Sequence, residues 1–148
     1  MRAFIKSLIL LVIIAAPGLA WAEGVAVVET VGGSDVVAVK RDGKALQLKK
    51  GDELKVGDEL TTDAKTAVDL RFNDKIAVRV GANSVYRIEA DTGVSKMLHR
   101  LLSGIVRVIV PPKADSTDKS ARFRLRTPEG TVGVRGTEFV VIRANDET

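Results

Sequence analysis

The chain has no cysteine, a single histidine and few aromatic residues, and each shortage removes a class of function. Without cysteine there is no disulfide, no thiolate metal site and no residue to carry a lipoprotein anchor, so the fold has to be held by its core. The lone histidine, His99, stands beside Arg100 with no Ser and Asp partners at a recognised spacing. Nucleophilic catalysis needs a base held against its nucleophile. His99 is therefore expected to be an ordinary surface or core histidine, and neither enzyme activity nor a cofactor is expected. One Trp, one Tyr and four Phe are present, and two of these six, Phe4 and Trp21, lie near the N-terminus. Setting aside Arg2 and Lys6, 21 basic residues face 19 acidic ones, a balance of +2. Nucleic-acid binding calls for a strongly basic face with stacking aromatics, so no nucleic-acid partner is expected.

What the N-terminus does have is an address. Met1 to Lys6 carries two positive charges, Ser7 to Ala16 is almost wholly apolar, and Pro17-Gly18 breaks the run. Ala20-Trp21-Ala22 then offers small residues at the two positions that a signal peptidase reads. Basic, apolar and small-residue regions in that order predict a secretory signal peptide over residues 1–22, cleaved after Ala22. The apolar run is shorter than the ~20 residues that span a bilayer. Membrane contact is thus expected only through this segment, if it stays uncleaved. The mature chain, residues 23–148, has 126 residues, enough for one domain, in a periplasmic or secreted location.

Gly and Asp/Asn turns punctuate that domain at short intervals, with β-branched residues between them, which is the habit of short strands. Val25 to Val31, Val36 to Lys40 and Ala45 to Leu48 read as strands, the last two joined by an Asp42-Gly43 hairpin turn. A local duplication follows: Lys50-Gly51-Asp52-Glu53-Leu54-Lys55 is echoed by Val56-Gly57-Asp58-Glu59-Leu60-Thr61. Leu54, Val56 and Leu60 are expected to point inward. Val68, Leu70 and Phe72, then Ile76, Val78 and Val80, alternate with polar or small residues on either side of Asn73-Asp74-Lys75, a hairpin with one buried face. Ser84 to Glu89 is another strand. Lys96 to Leu102 fits either a helical turn or a strand, and Ile105 to Val110 reads as a central strand ended by Pro111-Pro112. Lys113 to Ser120 is polar and loop-like. Phe123 and Leu125 alternate with Arg122, Arg124 and Arg126, and Val132 to Val134 and Glu138 to Arg143 close the chain. The expectation is an all-β single domain of nine or ten short strands after the signal helix, as a roll, a sandwich or a short β-solenoid.

The stretch from Thr127 to Phe139 is the most informative. Pro128 sets a turn, Gly130 and Gly133 permit tight backbone, Val132 and Val134 alternate inward, and Gly136 beside Arg135 suggests a bulge or a close backbone approach. Thr127, Pro128, Gly130, Gly133, Arg135, Gly136, Thr137 and Phe139 resemble the signature of the FecR-type domain, where a Thr-Pro turn leads into Val-Arg-Gly-Thr-x-Phe. The upstream order is similar: the paired Gly51-Asp52 and Gly57-Asp58, Thr62, the strand pair from Val68 to Val80, Ser84 to Ile88, then Leu101, Gly104 and Val110. The resemblance covers about Val25 to Ile142. It implies a periplasmic β-rich sensing or interaction domain that binds a protein partner in the envelope; in the namesake regulators such a domain passes a signal from an outer-membrane receptor to a sigma factor. Only six residues precede the hydrophobic segment here, so an anti-sigma portion is not expected. Family members continue with further strands, whereas this chain stops at Thr148. Either the sequence is a short piece of the domain or a sheet edge near Val140 to Arg143 is left unpaired, and in the second case Val140, Val141 and Ile142 are expected to be open to strand addition by a partner.

Two further constellations bear on function. Asp52-Glu53 and Asp58-Glu59 match no Ca²⁺ loop spacing and are expected to be solvated turns without metal. Arg122, Arg124 and Arg126 share a strand face, with Arg107 expected nearby, and such a row grips carboxylates or phosphates. An anionic envelope glycan or lipopolysaccharide is thus the alternative partner, for a glycan-binding or structural periplasmic protein.

Overall fold

In the computed structural model the described residues are 24–72, 75–90, 97–112 and 122–144. Residues 1–22, expected to be a signal peptide, and the polar stretch 113–120 lie outside them. Among the described residues the chain is all β, with twelve strands. In chain order they are β1 (Ala26–Gly32), β2 (Val37–Arg41), β3 (Lys44–Leu48), β4 (Glu53–Leu54), β5 (Glu59–Thr61), β6 (Ala67–Phe72), β7 (Ala77–Val80), β8 (Val85–Ala90), β9 (Met97–Val110), β10 (Phe123–Thr127), β11 (Gly130–Val134) and β12 (Thr137–Arg143). Twelve exceed the expected nine or ten because each half of the Gly-Asp echo contributes a very short strand, β4 or β5. The segment that fitted either a helical turn or a strand is extended, and it runs unbroken into the predicted central strand as the 14-residue β9.

β9 organises everything else. Its first half lies between β8 and β10, and its second half between β7 and β12. One layer is therefore β4-β1-β6-β7-β9-β12 and the other β3-β2-β5-β8-β9-β10-β11. All pairings are antiparallel except β9 with β10. The layers face each other: Phe72 of the first meets His99 of the second edge-on, ring centroids 4.9 Å apart, and Phe123 meets Phe139 at 6.0 Å. A core of Val28, Val39, Leu54, Leu60, Leu70, Val78, Ile88, Leu101, Val106, Val108 and Leu125 fills the space between. Burial of each such side chain contributes roughly 1.5–3 kcal/mol, the source of stability left to a chain without disulfides.

The bend in β9 is at Gly104, whose φ is +99°. A side chain there would be strained in that conformation and would collide with Ser84. Ser84, fully buried, accepts the Ile105 N–H at 3.0 Å and donates to the Ala82 carbonyl at 3.0 Å. Buried Thr62 completes the corner by donating to the Gly81 carbonyl at 2.6 Å and accepting the Ser84 N–H at 2.9 Å. The β7–β8 corner and the β9 bend are thereby locked together.

The Gly-Asp echo clamps the layers a second time. The Gly51 N–H donates to the Val28 carbonyl and the Val28 N–H to the Asp52 carbonyl, docking the first turn on β1. Gly57 and Asp58 make the same pair with Ile88 of β8, docking the second turn on the opposite layer. Each aspartate also accepts the N–H three residues back, from Lys49 and Lys55, at 2.9 Å. Leu54 and Leu60 are buried as expected, whereas Val56 is exposed because it lies in the turn itself. Asp58 also corrects the expectation of a solvated turn. It is 1 % exposed and held by both Arg41 Nε at 2.8 Å and a terminal Arg41 nitrogen at 2.7 Å, and this hydrogen bond raises the Arg41 pKa.

The two echoes differ in burial, so their aspartates are expected to differ in cost. Asp58→Ala strands the half-buried Arg41 guanidinium and should destabilise by about 2–4 kcal/mol. Asp52→Ala, at the more accessible turn, should cost about 1 kcal/mol. Urea denaturation of the two variants measures both; equal losses would contradict the assignment.

Candidate functional site

His99 occupies the centre of the core. It is 4 % exposed, stacked on Phe123 at a centroid distance of 4.1 Å and met edge-on by Phe72. Its Nδ1 is hydrogen-bonded to the Tyr86 hydroxyl. Burial raises the Tyr86 pKa well above its ordinary value and lowers that of His99 to about 3. The pair is thus a neutral imidazole accepting from a protonated phenol. The imidazole packs among the rings of Phe72, Tyr86 and Phe123. Among the described residues, no three His, Cys, Asp or Glu side chains gather to hold a metal ion.

The chemistry open to solvent lies on the strands that follow β9. β10 and β11 form a hairpin with Thr127 opposite Gly130 and Pro128-Glu129 as the turn. The Thr127 hydroxyl, chiefly, holds the Glu129 carboxyl below its usual range, with Arg143 adding to the effect. Arg135-Gly136 then carries the chain across to the other layer, where β12 pairs with β9 from Thr137 opposite Val110 to Arg143 opposite Gly104. A Cβ on Gly136 would sit 2.9 Å from the Pro112 Cα, so the expected close backbone approach is present. Arg143 ties the ends together by donating to Glu129 at 3.1 Å and to the Leu102 carbonyl at 2.5 Å. Phe139 is half-buried against Phe123. The Thr127–Phe139 signature is thus the crossing point from one layer to the other.

The strands on either side of the crossing are edges: β11 pairs only with β10, and β12 only with β9, among the described residues. On β12, Val140 is 52 % and Ile142 72 % exposed, and Ile142 lies opposite Ile105, itself exposed. Val141 does not join them, since strand alternation turns it toward the core. Arg107, opposite Val140, pairs with Glu138. It lies on the first layer and so does not join the basic row, as the sequence had led one to expect. On β11, Val134 is buried and Val132, expected to point inward, is 41 % exposed because no strand flanks it.

Arg124 and Arg126 do face outward from β10, alternating with buried Phe123 and Leu125. Arg122 stands just before the strand and donates to the Pro111 carbonyl. Sequence reasoning missed how this row continues. Thr131, Arg126, Arg100, Arg87, Glu59 and Lys40 lie in register across the whole layer. Glu89 bridges Arg87 at 3.5 Å and Arg100 at 3.3 Å, and Glu59 accepts from Arg87 Nε at 3.0 Å. The row depends on the parallel β9–β10 pairing, which no local pattern announces.

The buried histidine carries a testable acid sensitivity. Its folded pKa is about 3 against an unfolded value near 6.5, so the unfolded chain binds the proton first. Its stabilising contribution is therefore complete above pH 6.5 and declines progressively as the pH falls toward 3, by up to about 4 kcal/mol. Denaturation of the protein and of His99→Gln between pH 7 and pH 4 should show the variant, though less stable at pH 7, losing less stability on acidification. Parallel curves would contradict the assignment.

A family model described as FecR protein matches residues 58–148, more than half of the chain. No curated protein and no solved structure matches it.

Proposed function

The chain belongs to the FecR protein family, and from that membership we propose that it is an exported signal-sensing or interaction module of the bacterial envelope that binds a protein partner and catalyses no reaction. The observation that carries this reading is the β12 edge: one side of its backbone is unpaired among the described residues, and its outward face is apolar at Val140 and Ile142. Edges that a protein does not use are guarded by charge, proline or a covering segment. Here the guard is slight, since Glu138 is engaged by Arg107. A partner strand added to β12 would complete the backbone hydrogen bonding and cover Ile105, Ile109, Val140 and Ile142.

The rest of the molecule supports the reading by its rigidity. Gly104, Ser84 and the two Gly-Asp turns hold the edge on a fixed frame, and the only histidine is sealed in the core. A signal would then be read as occupancy of the edge. The order of basic, apolar and small residues in 1–22 supports a periplasmic or secreted location.

A photo-crosslinking residue at position 142, in cells producing the full chain, should capture a distinct envelope protein. The double variant Val140→Lys/Ile142→Lys should weaken that partner's binding by about tenfold or more, with little change in stability because both side chains are exposed. Undiminished binding by the double variant would refute the assignment, as would the absence of any crosslinked partner.

A further inference from the structure

We propose that β11 is a second, separate docking edge, and that it takes an extended segment of a partner protein in which apolar and acidic residues alternate. Gly130, Thr131, Val132 and Gly133 are all exposed, and the strand contains no charge and no proline to guard it. Its two faces make different demands. On the inner side Val132 and Val134 lie opposite Leu125 and Phe123, forming an apolar rim that the inward residues of an added strand would extend. On the outer side stand only Thr131 and Gly133, opposite Arg126 and Arg124.

Charge decides the outer residues. A strand added to β11 lies about 5 Å beyond it, hence about 10 Å from β10. Only a threonine and a glycine intervene, so a guanidinium from β10 and a carboxylate from the added strand can meet above them. Arg126 is exposed and has no carboxylate partner among the described residues, while Arg100 and Arg87 behind it share Glu89. The row is therefore basic at the end that borders the edge, and it favours an acidic neighbour over a neutral or basic one. A second copy of this chain is disfavoured, because two-fold pairing of β11 with itself would bring the Arg126 rows of both copies together. An anionic glycan could meet the arginines but would leave the backbone groups of β11 unpaired, whereas a peptide strand satisfies both.

The test uses the mature protein and a synthetic peptide of alternating Val and Glu, with the matching Val and Lys peptide as control. Fluorescence anisotropy should show binding of the acidic peptide alone, weakened about tenfold between about 50 and 500 mM salt. Arg126→Glu should lose the acidic peptide by at least about tenfold and gain the lysine peptide, a reversal that a misfolded variant cannot produce. Val140→Lys/Ile142→Lys should leave acidic-peptide binding intact, so this inference and the β12 reading fail independently. It is overturned by equal binding of both peptides or of neither, by an unaltered Arg126→Glu, by binding of lipopolysaccharide micelles in place of the peptide, or by dimerisation through β11.

Discussion

The contact of the Gly104 backbone with the Ser84 side chain is the constraint from which the architecture follows. A strand of 14 residues can serve two sheets only if it bends, and the bend requires a residue free of a side chain at φ +99° beside a fully buried hydroxyl. Because β9 turns there, β7 and β8 take successive halves of one of its sides, and β10 and β12 take successive halves of the other. Both closing strands therefore emerge on the same side of β9. The exposure of Val132, Val140 and Ile142 is a consequence of that geometry and no isolated surface accident.

Much of this was legible in the residue pattern, because local alternation states which side chains are buried. Val68, Leu70, Phe72, Val78 and Val80 point inward as their period of two requires. What local pattern does not encode is long-range pairing. Nothing near His99 indicates that it packs between Phe72, Tyr86 and Phe123, which come from three other strands. Nothing near Asp58 indicates that Arg41 reaches it, although the repeated Gly-Asp spacing already marked the turn as special. Lys96 to Leu102 was ambiguous for a physical reason: Leu98 and His99, adjacent in sequence, are both buried, so the alternation that identifies a half-buried strand is missing there.

The distribution of charge differs between the two layers. Most outward cations on the first layer are matched locally, Arg71 by Glu29, Arg79 by Asp69 and Arg107 by Glu138. These exposed pairs contribute little stability, but they neutralise that face and leave the apolar stripe on β12 as its distinguishing feature. The second layer differs, with arginines in register running up to β11. One flank of the molecule thus presents two edges of unlike chemistry, apolar on β12 and basic beside β11, connected through Arg135 and Gly136. Both are held by a frame in which, among the described residues, no buried side-chain nitrogen or oxygen lacks a hydrogen-bond partner.

Amide hydrogen exchange along β11 and β12 in the isolated protein tests the central claim most directly. Open edges predict alternating protection, with amides that face β10 or β9 slow and their neighbours fast, while β9 itself is protected on both sides. Uniformly slow exchange along Thr137–Arg143 and Gly130–Val134 would mean that both edges are already covered, and would contradict the account.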